Sequence, residues 1–201
     1  MWKLELEKFE QDKDWDSAIQ LMQKVIELEP NNLDAYLSMN YLLMNLLVEE
    51  DHDESRHDYY EELLKKYFKE SWAKFYNNTE YLYYTGRTAY MSEWYFDVNL
   101  NLDDAREMLN TALKLDPTNL VYQWTIYSGF DERIPENKNI SQDYAKMILD
   151  PYSGIEQELK TKGSLGEYIL NMMKCWAKNI LAKNQALKGF EEYTVNNRIK
   201  I

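Results

Sequence analysis

Apolar residues recur at helical spacing along most of this chain. Trp15, Ala18, Ile19, Met22, Val25 and Ile26 follow the i, i+3, i+4, i+7 rhythm of a single helical face. Leu102, Ala105, Leu109, Ala112 and Leu113 follow it again. The two stretches are copies of one another: Asp16 to Leu33 recurs as Asp103 to Leu120 at a constant offset of 87 residues, without a gap. Each copy closes on Leu-acid-Pro-x-Asn-Leu. Asp14 or Asp16, and Asp103, stand where a carboxylate caps a helix N-terminus and meets the positive end of its dipole. Pro30 and Pro117 end the helices, because the residue before a proline is pushed out of the α region. A fresh apolar-periodic run starts at once after each, Leu33 to Val48 and Leu120 to Phe130.

Continued along the chain, the pattern predicts helices over 2–12, 14–28, 32–49, 55–75, 79–97, 102–115, 119–130, 141–149, 153–161, 164–182 and 184–195. Asn77-Asn78, Asn99 to Asn101 and Asp131 to Asn139, the last holding Pro135, read as connections. Only 6 glycines and 4 prolines punctuate the 201 residues, fewer than a sheet-rich chain of this length needs for its turns. The fold class is therefore all-α. No Gly/Ser linker divides the chain, so 1–201 reads as one domain, with 131–139 as the best internal boundary.

These residues resemble the tetratricopeptide repeat. In that family two rings line the first helix of each pair, alanine opens the second, and proline closes the unit. Trp2, Phe9, Ala18 and Pro30 fall at the matching spacings, and Tyr36 with Met39 begins a second unit. Ala105, Ala112 and Pro117 match the second-helix pattern, as do Ala186 and Phe190 after a helix expected over Tyr168 to Leu181. The resemblance implies a right-handed α-solenoid of degenerate helix pairs with irregular insertions. It also implies that another protein binds in a groove lined by the first helices. The departures are Glu5-Leu6 where leucine-glycine is usual, a charged run at 49–60, and an offset that is no multiple of the usual ~34-residue period. The basic clamp with which some members grip chaperone tails is not met, since its positions hold Lys3, Glu7 and Ser38.

Charge narrows the partner. The net charge is −12 and is unevenly spread. Residues 1–137 carry 13 Lys+Arg against 28 Asp+Glu, whereas 138–201 carry 10 against 7. Such a surface repels nucleic acid and anionic membranes and attracts a basic protein. No run approaches the ~18 apolar residues of a membrane span, Met1 to Glu7 lacks a signal-peptide core, and a lone Cys175 fits a reducing compartment. These features place the chain in the cytoplasm.

Candidate chemistry is sparse. Both histidines, His52 and His57, lie in the acidic run Glu49 to Asp58, continued by Glu61 and Glu62. A metal-dependent enzyme using them is the remote reading, because ligands five apart do not share a helical face. Cys175, in an apolar helix, reads as buried. No phosphate loop, nucleophile elbow or zinc-protease motif is present, so neither catalysis nor a cofactor is expected. Fourteen aromatic residues fall between Tyr59 and Phe96. Adjacent rings on a helix diverge by about 100°, which predicts that some reach the surface as interface anchors. Tyr59, Tyr60, Tyr83, Tyr84, Tyr90 and Trp94 are the candidate anchors. Glu49, Glu50, Asp51, Asp53, Glu54 and Asp58 are the candidate acidic contacts. Together they point to a non-enzymatic inhibitor, of the immunity-protein kind, that sequesters a basic partner such as a toxin. The alternative is a scaffold that assembles a cytosolic complex. The apolar run Ile169 to Leu187 leaves capping and homo-oligomer formation both open.

Overall fold

The computed structural model describes residues 2–97, 100–129, 135–175 and 177, with 135–138 as backbone alone. Among them there are helices and no strand. In chain order they are α1 (Trp2–Gln11), α2 (Trp15–Leu28), α3 (Leu33–Val48), α4 (His57–Phe75), α5 (Thr79–Ser92), α6 (Leu102–Leu115), α7 (Leu120–Gly129), α8 (Pro135–Ile148) and α9 (Ile155–Lys160). A tenth, α10, runs over 164–175. Single 3-10 turns at Glu54–Arg56 and Glu93–Tyr95 precede α4 and follow α5.

The repeated sequence builds the same turn twice. The C-cap residues Glu29 (φ −128, ψ 68) and Asp116 (φ −132, ψ 78) leave α2 and α6 alike, each amide donating to a carbonyl one turn back. Two residues beyond each proline, an asparagine caps the next helix. The Asn32 side chain accepts from the Ala35 amide at 3.1 Å, and Asn119 accepts from Val121 and Tyr122. The same asparagines turn their amide groups back onto the carboxylates of Glu29 and Asp116. Each such cap contributes about 1 kcal/mol, and the pair fixes the angle at which the following helix departs.

Neighbours in sequence pair in space: α1 with α2, α3 with α4, α5 with α6, and α7 with α8. The pairs join through α2–α3, α3–α5 and α6–α7 contacts. Helix α3 touches α2, α4 and α5, which is why it is apolar on nearly every side, from Ala35 to Leu47. One apolar core runs without a break from Leu6 to Met173, although the charge balance reverses on the way. Gly86 allows a close helix approach within it. A Cβ there would lie 2.9 Å from Met108 Cβ and 3.1 Å from the Ala105 carbonyl, so α5 and α6 touch almost backbone to backbone. Ala105 and Ala112, both fully buried, supply the matching small surface on α6.

Two expectations need correction. Pro135 opens α8 instead of sitting in a connection; proline suits the first helical turn, where its missing N–H has no partner to lose. The helix expected to reach 97 ends at Ser92 and tightens into the 3-10 turn Glu93–Tyr95. The expected helix at 184–195 and the end of the one at 164–182 lie outside the described residues.

Candidate functional site

Three surfaces compete for a functional role. The first is the face formed by α1, α3 and α5, where the resemblance places a ligand groove. There the chain's own segment 161–173 is docked. Lys162 Nζ lies 2.9 Å from Asp34 Oδ1 and also pairs with Glu80, while Lys3 donates to Asp34 and, at 2.7 Å, to the Thr161 carbonyl. Ser164 donates to Glu10, and the Tyr168 ring stands 5.9 Å from that of Tyr41. Leu165, Ile169, Leu170 and Met173 are buried beneath. The groove positions Lys3, Glu7 and Ser38 line a cleft whose other wall is Lys162, Gly163, Ser164 and Leu165.

The titration behaviour follows from that packing. Burial pushes the Asp34 carboxyl up, but hydrogen bonds from Lys3 and Lys162 outweigh it and hold it below the usual carboxylate range. Burial pulls Lys162 down, and its bonds to Glu80 and Asp34 more than restore it, leaving it above an ordinary lysine. Glu10 differs: burial raises its carboxyl, the bond from Ser164 opposes this, and Glu7 adds to the rise. A raised carboxyl favours folding only while protonated, so Glu10 disfavours the fold increasingly as pH climbs past its ordinary value. Glu10→Gln keeps an acceptor for Ser164 and discards the charge. It is expected to raise the melting temperature at neutral pH. At about pH 3, below the ordinary carboxylate value, the carboxyl is protonated folded and unfolded alike, and the gap between variant and native protein closes. Calorimetry at the two pH values checks this.

The second surface is the sequence-predicted one. The acidic run begins at the end of α3 and leads through the 3-10 turn into α4. Tyr59 (41% exposed) and Trp94 (57%) stand at the ends of a chain of rings, Tyr59–Tyr60–His52–His57–Tyr95–Trp94. Adjacent centroids in that chain are 5.4 to 5.7 Å apart. Glu49, Asp51, Asp53, Glu54 and Asp58 are exposed around it. Glu50 pairs with Lys13 at 2.8 Å, and Arg56 lies over Tyr59 and Tyr60 while pairing with Asp16. The two histidines do meet, since His52 precedes the helix that His57 begins. Their rings stack, with His57 Nδ1 3.4 Å from His52 Nε2. Among the described residues no group of three His, Cys, Asp or Glu is arranged to hold a metal ion.

Three of the six expected anchors are withdrawn from the surface. Tyr60 is 3% exposed, Tyr83 1% and Tyr84 6%. Adjacent rings on α5 do diverge, but each side meets protein. Tyr83 stacks on Tyr122 at 4.3 Å and bonds to Thr125. Tyr84 lies beneath Lys162, 5.8 Å from its Nζ. Tyr90 is half-buried under Arg106. Cys175, expected inside, is exposed.

The third surface is a groove of about 530 Å³ between α4 and α6, which no single stretch of sequence announces. Phe68 and Trp72 on one face of α4 and Tyr76 just past its end, spaced four apart, form a wall of rings. Asp104, Glu107 and Thr111, one face of α6, form the other with Asp97. Leu82, Leu100 and Met108 also line it, Leu82 and Met108 being core residues. Trp72 is 38% and Tyr76 51% exposed, more than an inward stripe of rings would leave. Asp104 also accepts from the Asn101 amide in a capping box, and Glu107 meets Lys114 at 3.4 Å. Such a groove can seat an apolar or aromatic-seeking side chain and set positive charge against its rim. The spacings 68/72/76 and 104/107/111 were visible in sequence, but not that two separate helices face each other across α5. No family model matches the chain, and no curated protein is similar to it at a significant level.

Proposed function

We propose that this protein is a binding module that sequesters a basic protein, in the manner of an inhibitor or immunity protein, and that the α4–α6 groove is its contact surface. The carrying observation is the groove itself, with exposed Trp72 and Tyr76 facing Asp97, Asp104 and Glu107. An aromatic wall buries much area at little entropic cost. The carboxylates select positive charge, and the net charge of −12 steers a cationic partner toward them. The acidic ring-lined end at 49–62 adds to that field. Four helix hairpins and a repeated capped turn favour reading the fold as a solenoid of tetratricopeptide-like pairs. No described helix is long and apolar enough to cross a membrane, and a cytoplasmic setting fits the single cysteine.

The test uses the full chain as bait in its native cell extract. The expected partner is basic, is released as salt rises, and is lost by more than about tenfold with Trp72→Ser plus Glu107→Lys. Reversing Asp51, Asp53, Glu54 and Asp58 together is expected to slow association several-fold and flatten its salt dependence. An acidic or neutral partner, or binding indifferent to both variants, sinks the reading. Binding indifferent to salt alone favours the scaffold role instead.

A further inference from the structure

We infer that the α4–α6 groove is built for an arginine of the partner, its guanidinium laid on the Trp72 ring and bonded to the carboxylates of α6. This rests on the contact surface proposed above and names the group it reads. The molecule uses the same arrangement on itself. Lys162 sits between the Tyr84 ring, at 5.8 Å, and the carboxylates of Asp34 and Glu80. Arg56 lies 5.1 Å from the Tyr59 ring while pairing with Asp16 at 2.6 Å. In each case a cation is held by a ring on one side and a carboxylate on the other. The groove repeats that pairing on a larger scale, with Phe68, Trp72 and Tyr76 against Asp104 and Glu107; no lysine or arginine lines it, and the exposed Lys114 meets Glu107 from outside at a long 3.4 Å.

Arginine fits these walls better than lysine for a geometric reason. A planar guanidinium stacks on an indole face while its edge N–H groups remain directed at a carboxylate. An ammonium can meet both, as Lys162 does, but only as a point charge without a stacked face, and it gives up more hydration in leaving water. The apolar lining from Leu82 and Met108 accommodates the methylene stem. The Phe68–Trp72 and Trp72–Tyr76 ring pairs, 6.1 and 6.4 Å apart and each tilted by 39°, make the wall a shallow trough instead of a closed cage. A trough admits a side chain presented from a folded surface.

The probe is acetyl-arginine amide, with acetyl-lysine amide as its rival, titrated into the full-length ¹⁵N-labelled chain. The readout is the Trp72 indole resonance, assigned by its disappearance in Trp72→Phe. The expected result is a saturable shift of that resonance, at least about fivefold tighter for arginine than for lysine. Glu107→Gln is expected to weaken it by about fivefold or more. Glu107 is two-thirds exposed, so this change leaves the fold intact. Equal binding of lysine, absence of binding by either amide, or a shift at Trp94 in place of Trp72 overturns the inference. So does a Trp72 shift that depends on protein concentration alone, which makes a second copy the occupant. Failure of the contact surface itself shows separately, as capture of the partner unaffected by Trp72→Ser plus Glu107→Lys.

Discussion

Gly166→Ala is expected to destabilise the protein by about 2–4 kcal/mol, with a fall in melting temperature of roughly 5–12 °C. A Cβ on Gly166 would lie 1.8 Å from the Leu159 carbonyl oxygen and 2.7 Å from its carbon. Those atoms are backbone, so no rotamer change relieves the overlap. Helix α10 must back away from the end of α9, and in doing so it lifts Leu165, Ile169 and Leu170 from the core. The gain in helix propensity on replacing glycine, about 1 kcal/mol, is too small to compensate. Gly163→Ala is the control in the same turn. Gly163 has a left-handed φ of 61 but open space around it, its nearest neighbour being Glu7 Oε1 at 4.0 Å. Only the conformational penalty of about 1–2 kcal/mol applies there. Thermal melts of both variants decide the matter. If Gly166→Ala melts with the native protein, segment 161–173 is not seated as described.

What was legible in the sequence is what depends on near neighbours. The 3.6-residue period, the asparagine and aspartate caps and the two prolines act within a turn or two, and they placed α2, α3, α6 and α7 within a residue or so of their observed ends. Proline misled where its local meaning is double. Pro135 breaks a preceding helix and equally well starts one, and it starts α8. Tyr83 and Tyr84 misled for another reason. The sequence gives their divergence on α5 but not that α7 covers one side and Lys162 the other. Gly86 and Gly166 went unread because a glycine inside a helix signals close approach only once the approaching element is known. The groove between α4 and α6 and the meeting of His52 with His57 are likewise products of packing.

The uneven charge also changes meaning. An excess of carboxylates in 1–137 predicts a basic partner, and two of those carboxylates are already met within the chain, by Lys162. Glu10, Asp34 and Glu80 face Ser164 and Lys162 on the surface where the family resemblance places a ligand. That face is occupied in cis, whereas the ring-lined groove between α4 and α6 is open. The aromatic-acidic character expected from the sequence is present there, on residues other than those expected.

The occupied face yields the second large effect. Lys162→Glu is expected to cost about 4 kcal/mol or more, and Lys162→Met about 2 kcal/mol. The Lys162 side chain is 14% exposed and touches two carboxylates, so its pairs are worth more than surface ones but less than fully dry ones. Methionine keeps the stem and removes the charge, leaving Asp34 with Lys3 as its remaining partner. Glutamate sets a third carboxylate against Asp34 and Glu80. The difference between native protein and Lys162→Met carries a sign in pH. Asp34 titrates below its ordinary value, so its share of the pairing is present at neutral pH and is lost as acid takes it through the lowered value. Lys162 titrates above its ordinary value, so its share is lost as pH rises through the raised value. The difference is therefore flat from about pH 5 to 9 and shrinks on either side. Urea unfolding across that range measures it, and limited proteolysis locates it. Lys162→Glu should be cut first within 155–175 while α2 to α6 stay protected, because the displaced segment gives up its contacts with α1, α3 and α5. Cleavage spread evenly over the chain, or a stability difference that grows toward acid, contradicts the docking of this segment by its charge.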